Sequence, residues 1–134
     1  MSKSEKENQK IKLLLEDLLI LEDYAHDLFN FSPLPICFIS PIGVILEANP
    51  ALGQMAGFKI EEIIGEPTEK FFEKQEFKEL TKETIAQGIV EGREIAFFSK
   101  DKSRKTVQVF TKARKDEEGE TVGFFLGLFN LTEI

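Results

Sequence analysis

The chain has 134 residues, of which 42% are hydrophobic and 31% are charged, a composition typical of one ordinary globular domain. Its formal net charge of −7 argues against nucleic acid as a partner, because phosphate binding requires a basic surface. The single Cys excludes an internal disulfide, and no pair of Cys or His residues suggests a metal site. No apolar run is long enough to cross a bilayer, and the charged start is unlike a signal peptide. We therefore expect a cytoplasmic chain without membrane insertion.

Residues 1–30 predict a leading amphipathic helix, whose polar start, residues 1–9, we expect to fray. From about residue 9 to residue 29, apolar side chains recur at alternating steps of three and four, the a/d spacing of a coiled coil. Because a helix this apolar has to pack against something, we predict a homodimer through it; packing on the chain's own sheet is the alternative. The candidate dimer-interface residues are Ile11, Leu14, Leu18, Leu21, Ala25 and Leu28.

Two short apolar runs next predict a β-hairpin, with strands over Ile36–Ser40 and Val44–Ala48. Asn49 then stands where a helix N-cap belongs, and Pro50 occupies the first helical position. Gly57 is placed to end this helix in a left-handed turn. We therefore interpret Asn49 as a structural cap, and we expect Asn49→Ala to cost about 1 kcal/mol of stability.

The remaining residues predict short helical turns, one longer helix and three more strands. Gln75–Gln87 is amphipathic and is followed by Gly88, a helix breaker. Three apolar runs joined by short polar turns predict an antiparallel meander over Arg93–Ser99, Lys105–Ala113 and Thr121–Leu131. Together with the hairpin, these elements predict the α+β class, a five-stranded antiparallel sheet with short helices on one face.

Further motifs surround the hairpin and the capped helix. An apolar stretch, Phe31–Ile39, opens the domain, and Phe58–Gly65 has the form aromatic-x-x-E-E-x-x-G. The run Asn130-Leu131-Thr132-Glu133 closes it and is similar to an Asp-Ile-Thr-Glu sequence. Over residues 31–134 this combination resembles the PAS sensor domain family. The resemblance implies a sensory function and a sheet in which the first two strands lie in the middle, beside the last three.

Lys102 and Asn130 are among the residues that depart from the pattern of that family, as are Pro41 and Thr106. Lys102 lies in the turn after the third strand, where the family often has Gly, so we predict a turn that needs no positive φ. Asn130 replaces the Asp of the closing run. In many relatives that Asp pairs with a basic residue and couples the sheet to an output helix. We expect the neutral amide of Asn130 to weaken such coupling.

No catalytic arrangement is recognisable in the sequence, so we predict that the chain is not an enzyme. Some members of the family that the chain resembles bind cofactors, and the residues that hold those cofactors can be compared with this sequence. The stretch Pro67–Phe72 lacks the reactive Cys of flavin photosensors, and Phe97, Val107 and Leu128 stand where those proteins have polar amides. The long helix lacks the His of haem sensors, and no Cys follows it to hold a thioester chromophore. We expect none of these three groups to be bound covalently.

An apolar interior between the sheet and the helices remains as the candidate ligand site. Alignment with the family and strand alternation direct a set of side chains into it. Such a pocket would suit a small apolar molecule such as a fatty acid, and a filled core without a ligand is the alternative. The candidate pocket residues are Phe38, Ile45, Met55, Phe71, Ile85, Phe97, Val107, Val109, Leu126 and Leu128.

These features predict a sensory and dimerisation module of a signal-transduction protein, such as a sensor histidine kinase of a two-component system. A ligand or partner would shift the sheet, and the leading helix and the chain end would transmit the change to an output domain or a partner protein. The alternative is a ligand-free interaction module whose Phe-rich last strand is the docking face. The sequence leaves open the identity of any ligand, the output domain, and whether the chain acts alone or as a fragment.

Overall fold

The computed structural model describes residues 2–133 of the chain. Met1, the first residue of the predicted leading helix, and Ile134, the last residue of the predicted domain, lie outside the described residues. The chain divides into two compact units, Met1–Phe31 and Ser32–Ile134. Within the described residues, no helix is both long enough and apolar enough to cross a membrane.

The first unit is a single α-helix, α1 (Lys3–Phe31), which begins earlier than predicted. The polar start that we expected to fray is helical, because the Ser2 hydroxyl caps it. Ser2 Oγ accepts a hydrogen bond from the backbone N–H of Glu5 at 3.2 Å. None of the described α1 residues is buried, so the apolar side chains of this helix are exposed in one copy of the chain.

The second unit contains the sheet, whose strands are β1 (Ile36–Ile39), β2 (Ile45–Ala48), β3 (Ile89–Phe98), β4 (Arg104–Lys115) and β5 (Thr121–Asn130). All neighbouring strands are antiparallel and the order is β2-β1-β5-β4-β3, which confirms the predicted fold class. The expectation that both of the first two strands lie in the middle was wrong. β1 pairs with β2 on one side and with β5 on the other, which leaves β2 as an edge strand.

Between residues 32 and 133, three α-helices and two 3-10 turns accompany the sheet: α2 (Pro50–Ala56), α3 (Ile60–Ile63), Thr68–Lys70, α4 (Lys74–Gln87) and Leu131–Glu133. The two predicted helix breakers act as expected. Gly57 follows α2 with a φ of 74°, and Gly88 follows α4 with a φ of 84°. Positive φ is readily adopted only by Gly, so each residue ends its helix at a defined point.

Side chains of α2, α3 and α4 join those of the sheet in one hydrophobic core. Its centre is aromatic: the ring of Phe72 lies 5.2 Å from that of Phe97 and 4.8 Å from that of Phe77. Phe71 stacks on Phe97 at 6.3 Å. Since aromatic rings bury large apolar areas, this cluster contributes strongly to holding the helices on the sheet.

The turn between β3 and β4 differs from the prediction made for Lys102. Lys102 has a φ of 65°, in the left-handed region that favours Gly. Hydrogen bonds hold this backbone: the N–H of Ser103 donates to Asp101 Oδ1 at 2.9 Å, and the N–H of Lys102 donates to the Ser99 carbonyl at 2.9 Å. The prediction was wrong because these bonds determine the turn, although the residue at its tip is not Gly.

Candidate functional site

Asn49 is the N-cap of α2, as predicted, and it also holds the start of β1. Its Oδ1 accepts hydrogen bonds from the backbone N–H groups of Leu52 at 3.1 Å and Ile36 at 2.9 Å. Its Nδ2 donates to the Leu34 carbonyl at 2.9 Å. The residue is fully buried. The capping pattern predicted the bond to Leu52, whereas the other two join residues far apart in sequence and had no local signal.

Most of the candidate pocket residues are buried between the sheet and the helices. Val107, Val109 and Leu128 have no exposed surface, and Met55 packs against the same core while partly exposed. A void of about 10 Å³ beside Phe77 is no larger than the space one water molecule needs. The interior of this region is therefore occupied by side chains. The other buried members of the set are Ile45, Phe71, Phe97 and Leu126.

Two candidate pocket residues lie elsewhere, and their placement in the interior was wrong. The side chains of Cys37 and Ile39 are buried, so Phe38 between them points to the opposite face of the sheet. Ile85 is 50% exposed because other side chains of α4 occupy its buried face. That buried face consists of Phe77, Leu80 and Thr84.

The face of the sheet opposite the helices carries a surface rich in phenylalanine, which we call the outer sheet face. It consists of Ile36, Phe38, Ile89, Phe110, Phe125 and Phe129. Phe125 and Phe129 of β5 are 46% and 48% exposed. The Phe38 ring lies 5.0 Å from Phe125, and the Phe110 ring lies 5.7 Å from Phe129. A contiguous exposed apolar patch of this kind is characteristic of an association surface.

Phe38 is held on the outer sheet face by a close approach to the backbone of β5. A Cβ atom at Gly123 would overlap the Phe38 ring, so this position requires a residue without a side chain. The guanidinium of Arg114 lies over the Phe38 ring, 6.0 Å from its centroid, which is a cation–π distance. Lys112, two residues away on the exposed side of β4, adds a second positive charge to this edge.

A groove of about 680 Å³ lies between the segment before β1, helix α2 and the end of β5. It shares Met55 and Leu128 with the candidate pocket residues, but no sequence pattern predicted a groove at this place. None of its lining residues carries a formal charge, and its polar side chains are two amides, Gln54 and Asn130. The lining residues are Pro33, Leu34, Pro35, Ala51, Gln54, Met55, Leu128, Phe129 and Asn130.

The side-chain amide of Asn130 is only partly engaged. Its Oδ1 accepts a hydrogen bond from the backbone N–H of Thr132 at 3.1 Å. This bond defines the orientation of the amide, because Nδ2 is not an acceptor. Nδ2 is buried and has no hydrogen-bond partner among residues 2–133. Such donors are rare in folded proteins. The weaker coupling expected from Asn130 stays a prediction.

Cys37 and His26, the single Cys and the single His of the chain, belong to different units. Cys37 is buried, and burial raises the pKa of its thiol to about 12, so the nucleophilic thiolate is scarce at neutral pH. His26 Nε2 lies 3.0 Å from Asn30 Nδ2 on α1. In the part of the chain that the structure describes, no three His, Cys, Asp or Glu side chains are grouped to hold a metal ion.

The family profile described as PAS domain matches residues 33–133. The chain therefore belongs to the PAS domain family. As a class, PAS domains are sensory and interaction modules rather than enzymes. No curated protein sequence matches the chain significantly.

Solved structures show the same architecture. The PAS domain of a protein from Colwellia psychrerythraea has a TM-score of 0.74 and 23% identity, covering 86% of this chain and 99% of that one. The PAS domain of an HTR-like protein from Haloarcula marismortui has a TM-score of 0.71 and 20% identity, covering 90% and 99%. A PAS domain from a two-component sensor histidine kinase has a TM-score of 0.72 and 13% identity, covering 83% and 96%. At these identities the likeness shows the fold.

Proposed function

We propose that the chain is a sensory or regulatory module that transmits a signal through protein contacts within a signal-transduction protein. The observation that carries this proposal is the exposed pair Phe125 and Phe129 on the outer sheet face. Full burial of an exposed Phe side chain contributes about 1.5–3 kcal/mol. Since each of these rings is already about half buried, a partner that covers them would gain roughly half of that from each. The similarity to a PAS domain from a two-component sensor histidine kinase supports an output domain of that type.

The packed interior supports an interaction module more than a fatty-acid sensor at that place. Phe71, Phe97 and Leu128 are at most 1% exposed and lie where the candidate pocket was expected. A fatty acid would have to displace such side chains, and protein interiors tolerate added volume poorly. In this proposal the module therefore receives and transmits its signal through contacts at its surface rather than through a ligand in the filled interior.

The leading helix supplies the homodimer contact of the proposed module. Leu14, Leu18 and Leu21 are between 60% and 63% exposed in one copy and have coiled-coil spacing. A second copy presents the same apolar stripe, and two-fold symmetric contacts between identical surfaces are the commonest form of oligomer.

The proposed module is cytoplasmic, is not an enzyme, and carries no covalent flavin, haem or thioester chromophore. The side chains of Phe97, Val107 and Leu128 have no donor or acceptor that would bind the polar edge of a flavin. The protonated thiol of Cys37 argues against covalent attachment at that residue.

Sedimentation equilibrium of the full chain tests the dimer. The triple variant Leu14→Asn, Leu18→Asn and Leu21→Asn should be a monomer, because polar groups replace the apolar stripe. The matched control carries Leu13→Asn, Leu19→Asn and Ile20→Asn, on the other side of the helix, and should leave the dimer intact. A wild-type chain that is monomeric at every concentration, or a control that dissociates equally, would contradict the proposal.

Replacing both Phe125 and Phe129 with Thr tests the outer sheet face. We expect a nearly unchanged melting temperature and reduced fluorescence of a bound hydrophobic dye, because exposed rings contribute little to the fold. Phe72→Thr is the matched core substitution and should lower the melting temperature strongly. If the double variant is destabilised as much as Phe72→Thr, the two rings belong to the fold and the docking role fails.

A further inference from the structure

The groove beside Asn130 has features that neither the outer sheet face nor α1 explains. We propose that it binds a small neutral molecule that carries a carbonyl group on an apolar body. In this site the side-chain amide of Asn130 donates a hydrogen bond to the ligand's carbonyl oxygen, and the apolar walls enclose the remainder of the molecule.

The unused donor of Asn130 points to an acceptor on the ligand. Its Nδ2 is buried and unpartnered within the described residues, while its Oδ1 is occupied by the N–H of Thr132. Nδ2 has no accessible surface in this conformation, so a neighbouring side chain has to move before an acceptor atom from the groove reaches it. The bond then formed would displace no existing one. Met55 lines the same groove and has an unbranched, flexible side chain that can move aside for the ligand.

The absence of charge among the lining residues selects a neutral ligand. A carboxylate or phosphate would lose its hydration in the groove without a basic side chain to compensate it. The net charge of −7 on the chain further disfavours anions. Gln54, on the α2 wall, is the second amide and can donate to or accept from a polar group at another position of the ligand.

The shape of the groove favours a small molecule over a protein segment. Its volume of about 680 Å³ is within the usual range of small-ligand sites, and its walls come from three elements of the second unit. The apolar lining includes Leu34, Met55 and Phe129. The outer sheet face, by contrast, is the open side of a sheet.

A ligand in this groove would affect the hydrogen bonds at the C-terminal end of the domain. Asn130 Oδ1 accepts from the N–H of Thr132, and Thr132 Oγ1 accepts from the N–H of Thr106 at 2.9 Å. A ligand bound to Asn130 Nδ2 therefore acts on the amide that holds the closing 3-10 turn. This site would give the proposed signalling module its input. It shares Phe129 with the outer sheet face, and its existence does not depend on the dimer.

Two-dimensional ¹H–¹⁵N NMR of the full chain tests the proposal with three probes that share a six-membered carbon ring: cyclohexanone, methylenecyclohexane and cyclohexanecarboxylate. We expect cyclohexanone to shift the side-chain NH₂ signals of Asn130 in a saturable way. Methylenecyclohexane, which lacks a polar acceptor, should leave those signals in place, and the carboxylate should bind more weakly than the ketone. No saturable shift with the ketone, or a preference for the carboxylate, would overturn the proposal.

Asn130→Asp removes the donor and keeps an oxygen acceptor for Thr132. Binding of cyclohexanone to this variant is followed by the backbone signals of Gln54 and Met55. It should be about tenfold weaker than to the wild type, the factor expected for one neutral hydrogen bond. Gln87→Glu makes the same change of charge on an exposed residue of α4 that does not line the groove, and should retain the wild-type affinity. Equal affinity of Asn130→Asp and wild type would contradict the role of Asn130. If Asn130→Asp does not fold, the three-probe comparison on the wild-type chain still decides.

Discussion

Asn49 Oδ1 accepts a hydrogen bond from the backbone N–H of Ile36, thirteen residues earlier in the chain, at 2.9 Å. The same oxygen caps α2 through Leu52, so one short side chain joins the first residue of β1 to the start of a helix. β1 lies between β2 and β5 in the sheet. The position of Asn49 therefore affects both the helix and the alignment of a central strand.

We expect Asn49→Ala to destabilise the protein by about 3 kcal/mol, more than the cap alone would suggest. Loss of the cap accounts for about 1 kcal/mol. The N–H of Ile36 would also lose its acceptor inside the protein, which adds about 1–3 kcal/mol. Urea denaturation measures the change. Asn30→Ala, at an exposed position of α1, is the control and should cost under about 0.5 kcal/mol. A loss of only about 1 kcal/mol in Asn49→Ala would show that the bonds to β1 contribute nothing.

Lys102→Gly should stabilise the protein by about 0.5 kcal/mol. Its φ of 65° costs a residue with a side chain about 1–2 kcal/mol, and the greater freedom of Gly in the unfolded chain offsets part of the gain. Lys112→Gly is the control in a strand, where Gly relieves no strain and should destabilise by about 0.5–1 kcal/mol. Thermal denaturation compares the two. If both substitutions destabilise equally, the turn does not strain Lys102.

The stability of the fold should fall in acid, in part through Glu73. The backbone N–H groups of Glu76 and Gln75 donate to its carboxylate at the start of α4 and lower its pKa below the ordinary value of 4.5. The folded state therefore binds this proton less readily than the unfolded state. The contribution is complete above the unfolded pKa and is lost as the pH falls through the folded one.

Glu73→Gln removes this titration, so its stability should depend less steeply on pH than that of the wild type as the pH falls through and below the ordinary pKa of 4.5. Urea denaturation at a series of pH values measures the slope. Glu118→Gln, in the exposed turn before β5, is the matched control and should keep the wild-type slope. An unchanged slope in Glu73→Gln would show that the cap is not sensitive to charge.

Cys37 should be unreactive in the folded protein. Its thiol is buried and has a pKa raised to about 12, so a thiol reagent meets neither an accessible sulfur nor a thiolate. Labelling with a disulfide reagent at pH near 8 should be slow in buffer and fast in denaturing urea. Ser2→Cys adds an exposed thiol and should give one equivalent of fast labelling. Rapid labelling of the wild type under native conditions would contradict the assigned burial.

The sequence by itself determined the elements whose signals lie within a few residues. Asn49 and Pro50 start α2, and Gly57 and Gly88 end α2 and α4, because caps and breakers act through the backbone of the adjacent turn. The fold class followed from these elements and from the family motifs around them.

Only the tertiary structure decided which side of β1 faces the core, because its four residues are all apolar and show no alternation. Pairing with β5 places Phe38 beside Phe125, on the face opposite Cys37. The filled interior and the groove at Asn130 likewise depend on how distant elements pack. Volume and contact between them arise only when the chain has folded, and no local pattern of residues specifies them.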